Sequence, residues 1–158
     1  MFKKVILTSL LICFAYPIFG QITSNKKANE TLNWLIENPQ IKSDSLFTEK
    51  SVEVLKWHAK NNSHVEMRPS GIGEFMDTSS TYKFFKEITM IYMLSEIDNQ
   101  INKSIDENQS AFLSISNVIK FYENVITING AYKNDILDRY STFSEKELRK
   151  KMKKLIKR

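Results

Sequence analysis

The chain has 158 residues, 23 Lys+Arg against 18 Asp+Glu for a net charge of +5, and one cysteine. That length suffices for one domain burying about two-thirds of its surface. A lone cysteine excludes an internal disulfide and a cysteine-ligated zinc site, and Cys13 lies in an N-terminal apolar run, so the rest of the chain carries no thiolate nucleophile.

Met1–Lys4 carries two lysines, Val5–Tyr16 is mostly apolar, Pro17 ends the run, and Gly20 is a small residue before Gln21. A basic start, a short apolar core and a small residue at the cut describe a secretory signal peptide over residues 1–20. The run is too short for a bilayer span, which takes about 20 apolar residues. Cys13 follows Ile12 rather than a small residue, so lipidation is not expected. The expected product is residues 21–158, exported to a bacterial periplasm or secreted. Without residues 1–20, which hold Lys3 and Lys4, 21 basic and 18 acidic residues remain, a net +3. Residues 146–158 hold eight basic residues and one acid, so +7 sits there and −4 on 21–145.

Gln21–Lys27 reads as a polar leader. A first helix follows at about 26–37, with Ala28, Leu32, Leu35 and Ile36 on one stripe, and stops before Pro39. Ile41–Phe47 reads as a connector, and Thr48 as the cap of a second helix over Glu49–Lys60 that faces Val52, Val54, Leu55 and Ala59 inward. Residues 61–78 lose the helical period and are rich in turn formers, including Pro69, Gly71 and Gly73. A loop of that length is uncommon in a compact domain and is the first place to seek a site.

Thr81–Ile101 is the central element. Phe84, Phe85, Ile88, Ile91 and Tyr92 share one side, and Met90, Met93, Leu94, Ile97 and Ile101 lie nearly opposite. A helix apolar on both sides is buried between layers. Ser79 or Ser80 is its expected N-cap. Asp106 with Gln109 resembles a capping box, and the helix it opens carries Ala111, Ile115, Val118, Ile119, Tyr122, Val125 and Ile126 as one stripe. Asn129-Gly130 should end it with Gly130 in the left-handed region. A short helix is expected around Tyr132–Tyr140. Ser144 and Glu147 then form a capping box, with Phe143 and Leu148 at staple positions, before a last helix over Glu145–Lys157 striped by Leu148, Met152, Leu155 and Ile156. The expected fold is therefore all-α: an irregular bundle of about five helices around a central buried helix, with one long loop.

His58, His64 and Glu66 are the one cluster of metal-ligand residue types. A zinc site needs three or four ligands converging at about 2 Å, and these histidines are six apart, one on a helix and one in the loop. A hydrogen-bonded histidine at the core margin accounts for His58 without a functional site. His64-x-Glu66 is not a deaminase signature, which requires two further cysteines. Gly71-Ile-Gly73 lacks the third glycine, the lysine and the preceding strand of a phosphate loop. Asp135/Asp138 and Asp106/Glu107 sit at helix starts, where they complement the dipole. No catalytic constellation emerges, and no cofactor is expected. Trp34 and Trp57 lie off their helices' main stripes, so each either faces a partner or is covered by a second neighbour.

The leading expectation is a non-enzymatic exported protein that binds a protein or an envelope component. One alternative is a metal-binding or hydrolytic enzyme using His58, His64 and Glu66. The other is binding to an anionic surface through Arg149, Lys150, Lys151, Lys153, Lys154, Lys157 and Arg158. Nucleic acid is not an expected partner.

Overall fold

The computed structural model describes residues 21–39, 44–61 and 68–157. Residues 1–20, expected to form a signal peptide, and His64, Glu66 and Arg158 lie outside the described residues. Seven α-helices follow in order: α1 (Asn25–Glu37), α2 (Asp44–Asn61), α3 (Gly73–Thr78), α4 (Phe85–Asn102), α5 (Glu107–Ile128), α6 (Asp135–Ser141) and α7 (Glu145–Ile156), with a 3-10 turn at Pro69–Ile72 before α3. No strand occurs among the described residues. The fold is all-α.

The central helix is α4, which packs most extensively on α5 and also contacts α1 and α2. Ile88, Ile91 and Leu94 are fully buried and Tyr92 nearly so, as a helix covered on several sides requires. Its start differs from expectation. Ser79 instead ends α3, where its Oγ accepts a hydrogen bond from Asn134 at 3.0 Å, and α4 begins at Phe85 without a side-chain cap. A tertiary contact between the two loops has taken the capping group.

Local capping signals hold elsewhere. Asp106 accepts from Gln109 N at the start of α5, and Ser144 and Glu147 form the reciprocal box of α7. Ser24 caps α1, and the expected polar leader contributes Ile22, which is buried in the core. Gly130 does not take the left-handed region, because no described glycine has positive φ; Asn129 closes the turn instead, its Oδ1 accepting from Ala131 N at 2.9 Å.

Helix α2 starts at Asp44 and runs through Thr48, so residues 44–47 of the expected connector and the expected cap are helical, whereas 41–43 lie outside the described residues. Its inward face is also rotated. Phe47, Ser51, Val54 and His58, spaced by three and four, are buried, whereas Ala59 is exposed. The expected long loop is folded in its second half, where Ile72 and Phe75, three apart, are both buried and pull the 3-10 turn and α3 onto the bundle. Both tryptophans are half-buried against the core, and Trp57 Nε1 donates to Asn25 Oδ1 at 2.8 Å. A neighbour on α1 thus covers Trp57.

Candidate functional site

The interior holds more polar chemistry than the apolar stripes imply. On α4, Ser95, Glu96, Asp98 and Asn99 are all buried. Glu96 faces α5, where Ser110 Oγ donates to its Oε1 at 3.0 Å. Burial pushes its carboxyl above the ordinary range, opposed by the Ser110 and Ser114 hydroxyls and by the Arg68 charge. Asn99 Nδ2 donates to Ser110 O at 3.2 Å and Ser114 Oγ at 3.1 Å, and Asn117 Nδ2 donates to Ser95 Oγ at 3.0 Å. Two positions from Glu96, Asp98 points the other way and accepts from Asn29 at 2.8 Å and Asn102 at 2.6 Å. This network joins α1, α4 and α5, and its members satisfy one another, which is the signature of a structural seam.

His58 is 3% exposed on α2. Burial holds its imidazole below the usual value, with the Asp98 charge opposing. No group of three His, Cys, Asp or Glu side chains able to hold a metal occurs among the described residues. The 68–78 stretch does line two shallow clefts of about 460 Å³ each, one against Arg68, Pro69 and Met76 and the other against Glu74, Lys151 and Leu155.

The second cleft marks where α7 docks. Glu74 of α3 accepts from Tyr140 Oη at 2.8 Å, pairs with Lys151 Nζ at 2.7 Å, and also pairs with Arg139. Burial alone would raise the Glu74 carboxyl, but the Lys151 and Tyr140 hydrogen bonds, the Lys151 charge and the Arg139 hydrogen bond outweigh it and hold it at about 2. On the other flank, Arg149 lies 3.7 Å over the Phe112 ring, bonds Glu145 at 2.8 Å and donates to Gln109. Leu148 and Met152 are buried between these two anchors.

A carboxyl held below its unfolded value of 4.5 stabilises the fold above that pH and ceases to do so as pH falls toward about 2. Urea unfolding should therefore show wild-type stability declining through that window. Glu74→Gln should lower stability at neutral pH by about 1–3 kcal/mol, the scale of hydrogen bonds to charged groups, and flatten the acid decline. A variant with the wild-type acid profile would remove the anchor.

Six of the seven basic positions expected to bind an anionic surface are described, and they separate into two sets. Arg149 and Lys151 are half-buried and bound to the bundle. Lys150, Lys153, Lys154 and Lys157 are exposed, together with Lys146, and none of these five has an acidic partner among the described residues. At 100° per residue the five lysines fall within about 100° of arc, opposite Leu148, Met152 and Leu155. They extend over twelve positions, about 16 Å along the axis. Charge-run composition pointed to this helix, but only the docking contacts tell an anchor from a free cation.

The geometry defines an all-α protein whose most extensive uncommitted chemistry is a row of lysines on its last helix. No family model, curated protein or solved structure matches the chain. No described helix is long and apolar enough to cross a membrane.

Proposed function

We propose that the protein is a non-enzymatic binding module that attaches to an anionic lipid surface through the outward face of α7. The observation that carries this reading is the stripe of five lysines without acidic partners among the described residues, on a helix held in place by other contacts. The row runs along one exposed face of the helix, which suits a flat surface. It contains no tryptophan or phenylalanine, and the apolar side of α7 packs against the bundle, so attachment is peripheral. A lysine near an anionic bilayer contributes about 1 kcal/mol, so five supply about 5 kcal/mol. That corresponds to a dissociation constant of order 0.1–1 mM, a weak and reversible contact. Export through the segment Met1–Gly20 belongs to the same proposal, since Lys3, Lys4 and the apolar run after them carry the features of a secretory signal. The enzymatic alternative through His58, His64 and Glu66 draws less support, because His58 is enclosed between helices.

Cosedimentation with vesicles containing phosphatidylglycerol should show binding that falls steeply between about 20 and 150 mM salt, as exposed charges are screened. Vesicles of phosphatidylcholine alone should bind nothing. Salt-independent binding, or equal binding to both vesicle types, would overturn the proposal. Stronger binding to soluble polyglutamate than to anionic vesicles would overturn the choice of a lipid surface.

A further inference from the structure

A cavity of about 670 Å³ opens between the first half of α2, the turn at 80–84 and the first half of α4. Its walls include Phe47, Phe84, Phe85, Met90 and Met93. That volume lies within the about 300–1,000 Å³ of small-molecule sites, and methionines adapt their shape to flexible apolar ligands.

The polar groups at this cavity are unequally committed. Tyr82 Oη donates to Tyr132 O at 2.8 Å, Thr89 Oγ1 donates to Phe85 O at 2.8 Å, and Lys83 Nζ donates to Tyr132 Oη at 2.6 Å. Ser51 differs. It is fully buried, it lines the cavity, and its Oγ has no hydrogen-bond partner among the described residues. A buried hydroxyl left unpaired costs about 1–3 kcal/mol, which a ligand acceptor or donor would relieve. Lys86, also lining, is exposed and has no acidic partner among the described residues. With Lys83, Lys86 and Glu87 the lining carries a net +1.

We propose that this cavity binds an amphipathic monoanion, a medium-chain carboxylate, with its chain against the Met90 and Met93 wall and its head within reach of Lys86. The combination of an apolar body, one orphan hydroxyl and one excess cation selects a chain with a single negative end over a neutral or cationic one. The site is remote in sequence from the lysines of α7, and either reading stands without the other.

The test is isothermal titration of the full chain with decanoate and with decanol, each below its aggregation limit. Decanoate should bind with one-to-one stoichiometry and at least about tenfold more tightly than decanol, a difference of about 1.4 kcal/mol. Lys86→Glu should erase that preference, and Met90→Trp should abolish binding of both by filling the cavity. Lys86→Glu changes an exposed position, so it decides the matter even where Met90→Trp does not fold. Lys150→Gln/Lys154→Gln should leave decanoate binding unchanged. Equal affinity for decanoate and decanol, no binding of either, or an unchanged preference in Lys86→Glu would overturn the proposal.

Discussion

Ile91→Asp should unfold the protein at neutral pH. Ile91 is fully buried at the middle of α4, the helix that touches α1, α2 and α5. An aspartate there either buries an unpaired carboxylate or takes up a proton at a cost. Either route forfeits several kcal/mol, against a total stability of about 5–15 kcal/mol for a domain. The isoleucine's own packing is lost as well, about 2–5 kcal/mol for truncation at such a site. Far-ultraviolet circular dichroism should show the helical signal and its cooperative melt gone. A variant melting near the wild type would mean that α4 is not the centre of the core.

The second large effect is expected at Gly71. A Cβ built there would lie 2.0 Å from Tyr92 Oη and 2.9 Å from its Cζ, well inside contact distance. Tyr92 is 1% exposed, so its ring has little room to retreat. No described glycine has positive φ, so the requirement is space rather than backbone conformation. Gly71→Ala should cost about 1–3 kcal/mol through overpacking. Tyr92 Oη also has no hydrogen-bond partner among the described residues, and burial raises its pKa far above the usual tyrosine value, with the Glu96 charge adding to the effect. Tyr92→Phe alone should therefore be neutral or stabilising. In the Tyr92→Phe background the cost of Gly71→Ala should shrink, although the ring carbon at 2.9 Å keeps it above zero. Urea unfolding of the four species gives the coupling directly. Equal costs in the two backgrounds would show that the hydroxyl is not what Gly71 makes room for.

The parts of the fold legible in the sequence are those encoded within one or two helical turns. The α5 stripe through Ile115, Val118, Tyr122 and Val125, the Asp106 cap and the Ser144–Glu147 box each need only neighbours a few residues away. What escaped was set by partners distant in the chain. Ser51, His58, Glu96 and Asn99 are buried although polar, and a period counted on apolar residues alone turns the face of α2 away from Ser51 and His58. Ser79 reads as a cap for the following helix until Asn134 claims it. The candidate site follows the same rule. A run of seven cations is visible as composition, but the separation of Arg149 and Lys151 from the free lysines depends on Phe112, Gln109 and Glu74.

That separation is the centre of the functional account, and two variants with the same change of charge test it most directly. Lys150→Gln/Lys154→Gln removes two free lysines, whereas Arg149→Gln/Lys151→Gln removes the two anchors. Both lower the net charge by two. The first should reduce cosedimentation with anionic vesicles by at least about tenfold at low salt, consistent with about 1 kcal/mol per lysine. It should leave the urea midpoint within about 0.5 kcal/mol of the wild type, as is usual for exposed positions. The second should lower stability by about 1–3 kcal/mol while losing less of the vesicle binding. Equal loss of binding in the two variants would contradict the account, because attachment would then follow net charge and not the lysine face of α7.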